Sequence, residues 1–232
     1  ELFIDGEFVG RHYGGTSSFS FDIEHYVSAG EPFDLVLYVE DFTRSGEQNL
    51  GKQSKEYKPR RTRYTRTTGI WQTVWMEAVS EMSLQSCHII PDLDRKKFDF
   101  IPRFHSLAAG NKLVITIKER GRAIKSKKFA TVDGVVCSVE LDSVKTWSPE
   151  DPYLYDIEFL VVTKAGLVLD QVDSYAGMRK IHIEGNKIFL NNEPFYQRLV
   201  LDQGFYPDGI WTAPDDAALK RDIQLSMDAG FN

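Results

Sequence analysis

The sequence predicts a mostly β protein with two strand-rich domains and a change to helix at its C-terminal end. Short β-prone runs, each bounded by Gly, Asp, Asn or Pro, begin at residue 2 and continue through the hairpin-like "KIFLNNEPF". Seven of them follow one another in about a hundred residues with no helical pattern between, as in an immunoglobulin-like sandwich. Only after that hairpin do apolar residues recur every four positions.

The first element is a hairpin. "LFIDGEFV" sets Asp5-Gly6 between two β-prone runs, and both turn residues must tolerate positive φ. After Gly14-Gly15, "FSFDI" and "PFDLVLYVED" read as strands separated by the turn-rich "SAGE". "GIWQTVWMEAV" alternates Ile70, Gln72, Val74 and Met76 with Trp71, Thr73, Trp75 and Glu77, so it predicts a strand covered on both faces.

The sandwich runs are "SLQSCHIIPDL", "KFDFIPRF", "NKLVITIKER", "AIKSKKFATV", "GVVCSVEL", "LYDIEFLVVT" and "GLVLDQVDSYAGM". "KIFLNNEPF" then offers Asn191-Asn192 for a type I′ turn. The last element, "APDDAALKRDIQLSMDAGFN", opens with Pro214 at the first helical position and Asp215 and Asp216 in the first turn, and it stops at Gly230. Leu219, Ile223 and Met227 make an apolar stripe on it that needs a surface to cover. These readings divide the chain into residues 1–80, 81–183 and 184–232.

Composition narrows the function classes. With 232 residues, 42% of them hydrophobic and a net charge of -6, the chain is not built for nucleic acid or an anionic membrane over its whole surface. No apolar run is long enough to span a bilayer. The N-terminus starts inside a strand without Met or signal features, so the chain reads as cut at both ends, and a periplasmic, secreted or cytoplasmic location stays open. Cys87 and Cys137, widely spaced, read as buried or free thiols.

The five histidines lack metal-ligand spacing, no metal or cofactor is indicated, and the phosphate-loop, nucleophile-elbow and dinucleotide signatures are missing. Seven Lys and Arg between residues 52 and 66, interleaved with Tyr57 and Tyr64, suit either a cationic surface with stacking rings or a solvated loop; the acidic chain favours the loop. Asn192-Glu193 is an Asn-Glu pair of the kind that supplies a general acid, but an exposed turn beside Pro194 gives its carboxyl no means of raising its pKa. "RLVLDQGFYPDGIW" crowds Arg198, Asp202, Gln203, Tyr206 and Asp208 into one connection, either as binding groups or as an Arg198–Asp202 pair across a turn.

Several motifs in order resemble glycoside hydrolase family 2, the β-galactosidase and β-glucuronidase group: "GGTSSFSFDI", "YTRTTGIWQTVWME", "TWSPEDPYLYDIEF", "YAGMRKI" and "FYQRLVLDQGFYPDGIWTAPDDAALKRDIQLSMDAGFN". The resemblance implies a jelly-roll sugar-binding domain, here incomplete, then the immunoglobulin-like sandwich, then the first strand and helix of a (β/α)8 barrel. It implies a carbohydrate partner, a β-glycoside, and hydrolysis with retention by two glutamates on later barrel strands, expected beyond Asn232. By this resemblance no residue of the chain is catalytic, and the segment alone is inactive. Arg198 matches the arginine of the family's Leu-Arg-Gly motif, with Leu199 in place of the Gly. Asp202 and Gln203 match the adjoining loop, so all three would position substrate. The alternative is a noncatalytic carbohydrate-binding or adhesion protein built from the same sandwiches. Sugar specificity and oligomeric state are not legible.

Overall fold

The computed structural model describes residues 1–232 and contains two compact units, Glu1–Trp75 with Leu201–Gln224, and Met76–Val200 with Leu225–Asn232. The chain is mostly β, with one α-helix.

In the first unit, β1 (Leu2–Ile4) pairs antiparallel with β2 (Glu7–Gly10) and with β3 (Leu35–Leu37), giving the order β2-β1-β3. The predicted turn is present: Asp5 and Gly6 have φ of 49° and 84°. Leu2 and Ile4 are buried, as the pleat requires of alternate residues on one face.

Two predicted strands of this region do not form. "FSFDI" is irregular and leads into a single 3-10 turn at Glu24–Tyr26. Residues 69–79, expected as a doubly covered strand, enter no ladder, and Val74 and Trp75 are 63% and 71% exposed. A strand exists through bonds to its neighbours, and the three regular strands of this unit pair only among themselves. The alternation of residues 70–77 is therefore a capacity that no adjacent edge uses.

In the second unit all seven predicted sandwich strands form: β4 (Leu84–Asp92), β5 (Lys97–Phe104), β6 (Lys112–Glu119), β7 (Arg122–Ala130), β8 (Cys137–Glu140), β9 (Tyr155–Val162) and β10 (Val168–Ala176). Every pairing is antiparallel, in sheets of order β4-β5-β8 and β10-β9-β6-β7. Inward residues alternate along β5 (Phe98, Phe100, Phe104) and β9 (Tyr155, Ile157, Phe159, Val161). Between the two sheets aromatic rings meet edge to face, Phe98 on Tyr155 and Phe100 on Phe159, each pair with ring centroids 5.7 Å apart.

A second small sheet, β11 (Ile181–Glu184), β12 (Lys187–Leu190) and β13 (Glu193–Pro194), turns at Asn191 and Asn192, with φ of 54° and 70° as expected for type I′. The Trp147 segment is tied to it. Trp147 N donates to Met178 O and Asn191 Nδ2 donates to Trp147 O, both at 2.9 Å, while the Arg179 guanidinium lies 4.8 Å from the Trp147 ring centre. The motifs "TWSPEDPYLY" and "GMRK" thus meet as one structural joint. Tyr155, fully buried, accepts from Lys145 N at 2.6 Å. Cys87 and Cys137 are free thiols.

The helix α1 (Asp216–Asp228) starts two residues later than Pro214 suggested. Asp215 is its N-cap, with Oδ1 accepting from Ala218 N at 2.8 Å, so the proline precedes the helix instead of opening it. The other end closes as a Schellman motif: Gly230, φ 89°, donates to Met227 O, and Phe231 N donates to Ser226 O. Leu219, Ile223, Leu225 and Met227 are all exposed on it.

Candidate functional site

The polar and aromatic connection "RLVLDQGFYPDGIW" is divided between the two units, so its residues are held separately. Arg198, in the second unit, is fixed through its main chain. Its N donates to Asn232 Oδ1 at 2.6 Å and its O accepts from Asn232 N at 3.1 Å, while Asn232 Nδ2 donates to Tyr196 O. Asn232 thereby imitates a strand edge with its main-chain N–H and its side-chain amide together, and the Arg198 side chain stays exposed.

Asp202 and Gln203 lie in the first unit. Asp202 is exposed and bends the chain on itself, Oδ1 accepting from Gly204 N at 2.8 Å. Gln203 is half-buried, and its Oε1 accepts from the Tyr64 hydroxyl at 2.8 Å. The Tyr64 ring stacks on Phe205 with centroids 4.4 Å apart and meets Trp211 edge-on at 5.6 Å. Of the positions singled out in the sequence, Tyr64 and Gln203 are therefore brought together, 139 residues apart.

Phe205 and Trp211 were not singled out as partners of Tyr64. No local signal could have found them, because only the closed turn between them sets their spacing. Tyr206 and Ile210 exchange two main-chain bonds of 2.9 Å. Gly209 approaches Thr212 so closely that a Cβ there would lie 1.9 Å from the Thr212 carbonyl oxygen, so the position admits only glycine. The Tyr206 hydroxyl donates to Asp222 on α1 at 2.8 Å, a bond that, with burial and the carboxylate's charge, pushes the phenol's pKa up. Asp208 is exposed.

The cluster offers flat rings beside the Gln203 amide, with the Asp202 carboxylate next to it in the chain. That combination can take an amphipathic ligand, stacking one face and hydrogen-bonding its edge. Glu193 is exposed beside its turn. No group of three His, Cys, Asp or Glu side chains stands together in a way that could hold a metal ion, and no helix is long and apolar enough to cross a membrane.

Residues 91–179, spanning most of the sandwich, match the family model described as glycosyl hydrolases family 2. That segment is similar to the family 2 glycoside hydrolase sandwich domain. Its relatives are glycosidases. The β-galactosidase of Thermoanaerobacter pseudethanolicus is 24% identical over all of this chain and 31% of its own length. That of Halalkalibacterium halodurans is 26% identical over 83% of this chain and 18% of its own. Among solved structures, the β-glucuronidase of Ruminococcus gnavus in complex with D-glucuronic acid superposes with a TM-score of 0.55 at 20% identity, covering 66% of this chain and 26% of that one. The chain thus spans less than a third of the length of each of these relatives, and the structural likeness establishes the β-sandwich fold.

Proposed function

We propose that this chain is the noncatalytic β-domain portion of a retaining glycoside hydrolase that cleaves terminal β-glycosidic bonds of the β-galactoside or β-glucuronide type. The observation that carries the reading is the similarity to a β-galactosidase along the entire chain, with the family 2 match inside it. Retention needs two carboxyls about 5 to 5.5 Å apart, one as acid/base and one as nucleophile. This reading assigns them to barrel strands outside these residues, with the 184–232 segment as the barrel's first strand and helix and residues 1–80 as part of the jelly roll.

The chain's own contribution is then positioning. With Oε1 of Gln203 committed to the Tyr64 hydroxyl, its Nε2 is the end that meets a sugar hydroxyl as donor. Asp202 accepts from a hydroxyl with the oxygen it does not use in its own turn. Arg198, in the second unit, contributes an exposed guanidinium on a backbone fixed by Asn232.

The test is hydrolysis of a panel of nitrophenyl β-glycosides by the natural full-length protein, with the 232-residue chain alongside. Turnover by the former alone is the expected result, and it names the sugar. Turnover by the segment would place the carboxyls within it. Silence from both would favour a noncatalytic carbohydrate-binding protein.

A further inference from the structure

The first unit carries a concentration of positive charge that the positioning role of Gln203 does not use. Between residues 52 and 66 stand Lys52, Lys55, Lys58, Arg60, Arg61, Arg63 and Arg66 against a single carboxylate, Glu56, in a chain whose net charge is -6. All but Arg66 are exposed. The Arg60–Glu56 pair, at 3.5 Å with both side chains about two-thirds exposed, neutralises little.

The backbone concentrates these charges instead of dispersing them. Arg60 and Arg63 exchange main-chain bonds of 2.9 and 3.1 Å around a two-residue tip at Arg61-Thr62, and Arg61 is held at φ 57°, a conformation that side chains with a Cβ rarely adopt. The base of the loop is fixed by Ser54 N donating to Tyr64 O at 2.7 Å and Tyr64 N to Lys52 O at 2.8 Å. Tyr64 is the ring that stacks on Phe205 and binds Gln203. Three arginines are therefore presented on a short tip whose base is locked to the Gln203 segment. Like charges held within a Debye length, about 8 Å at physiological ionic strength, repel and are relieved by an anion.

We infer that the 52–66 loop is an anion-binding element that recognises acidic carbohydrate, a glycan bearing carboxylates or sulfates, beside the segment that positions the sugar. The inference rests on the proposed glycosidase reading and names a substrate class for it. Single-stranded nucleic acid, the other polyanion, is bound through free aromatic faces that stack successive bases. Here one face of Tyr64 is covered by Phe205 and Trp211 abuts the ring, which leaves Tyr57, 76% exposed, as the loop's one open ring.

Calorimetric titration of the 232-residue chain tests this, with an oligogalacturonate, a neutral galacto-oligosaccharide of equal length and an oligothymidylate of equal charge, at about 50 and 200 mM salt. The expected result is roughly 10-fold or greater preference for the oligogalacturonate over both others, weakened by salt. The triple variant R60Q/R61Q/R63Q should lose that preference, and R60K/R61K/R63K should retain most of it, which separates charge from misfolding. Equal binding of acidic and neutral sugars, an unaffected glutamine variant, or tighter binding of the oligothymidylate would each overturn the inference. The glycosidase reading fails independently: if the full-length protein hydrolyses no β-glycoside while the chain keeps its preference for the acidic oligosaccharide, the loop's role stands without the enzyme.

Discussion

Gly177 sits directly against Trp147: a Cβ built on the glycine would lie 3.2 Å from the Trp147 Cβ and 3.4 Å from two of its indole carbons. The tryptophan has little room to yield, because its N and O are both bonded, to Met178 and Asn191. Gly177→Ala is expected to destabilise the second unit by about 1–3 kcal/mol through overpacking, read as a lower urea midpoint at unchanged slope.

Asn191 serves the same joint in two ways. It holds φ at 54°, and its side chain accepts from Lys180 N at 3.1 Å while donating to Trp147 O. Asn191→Gly keeps the turn and loses those bonds, at about 1–2 kcal/mol; Asn191→Ala loses both and should cost more. Equal thermal shifts in the two variants would contradict this division.

The core and the helix stripe should respond oppositely. Phe100 is fully buried between the sheets, so Phe100→Ala is expected to cost about 3–5 kcal/mol. Ile223 is 62% exposed on α1, and Ile223→Ala in this chain should stay within about 0.5 kcal/mol. Denaturant melts of the two variants check the contrast.

Asp99 links stability to pH. Burial pushes its carboxyl up, but hydrogen bonds from Lys97, at 2.7 Å, and from Ser138, with the charge of Lys97, outweigh it, and the folded pKa lies below the ordinary carboxylate value. A carboxyl lowered by folding contributes stability above its unfolded pKa, about 3.9, and loses it as pH falls through the folded value. Asp99→Asn should therefore be less stable than the parent near neutrality and approach it in acid. A constant difference across that range would exclude the linkage.

The Cys87 thiol is pushed up to about 12, chiefly by burial. Iodoacetamide at mildly alkaline pH should modify it far more slowly in the folded chain than in urea, a difference that mass spectrometry resolves.

The amino-acid sequence alone determined the sandwich and the turns. Alternation of period two in "KFDFIPRF" and "LYDIEFLVVT", and paired residues such as Asp5-Gly6 and Asn191-Asn192, are local properties of pleat and dihedral angle, and all seven sandwich strands appear where those signals lie. The same alternation in "GIWQTVWMEAV" did not become a strand, because pairing belongs to the neighbouring edge as much as to the segment. Pro214 misled in a similar way, since whether it opens a helix or precedes one depends on which side chain reaches the orphan N–H groups, and Asp215 does. Gln203 could be singled out from the crowding of polar residues around it. Its partner could not, because the bond from Tyr64 and the stack on Phe205 join residues far apart in the chain, and such contacts arise only when folding repays the entropy of bringing them together.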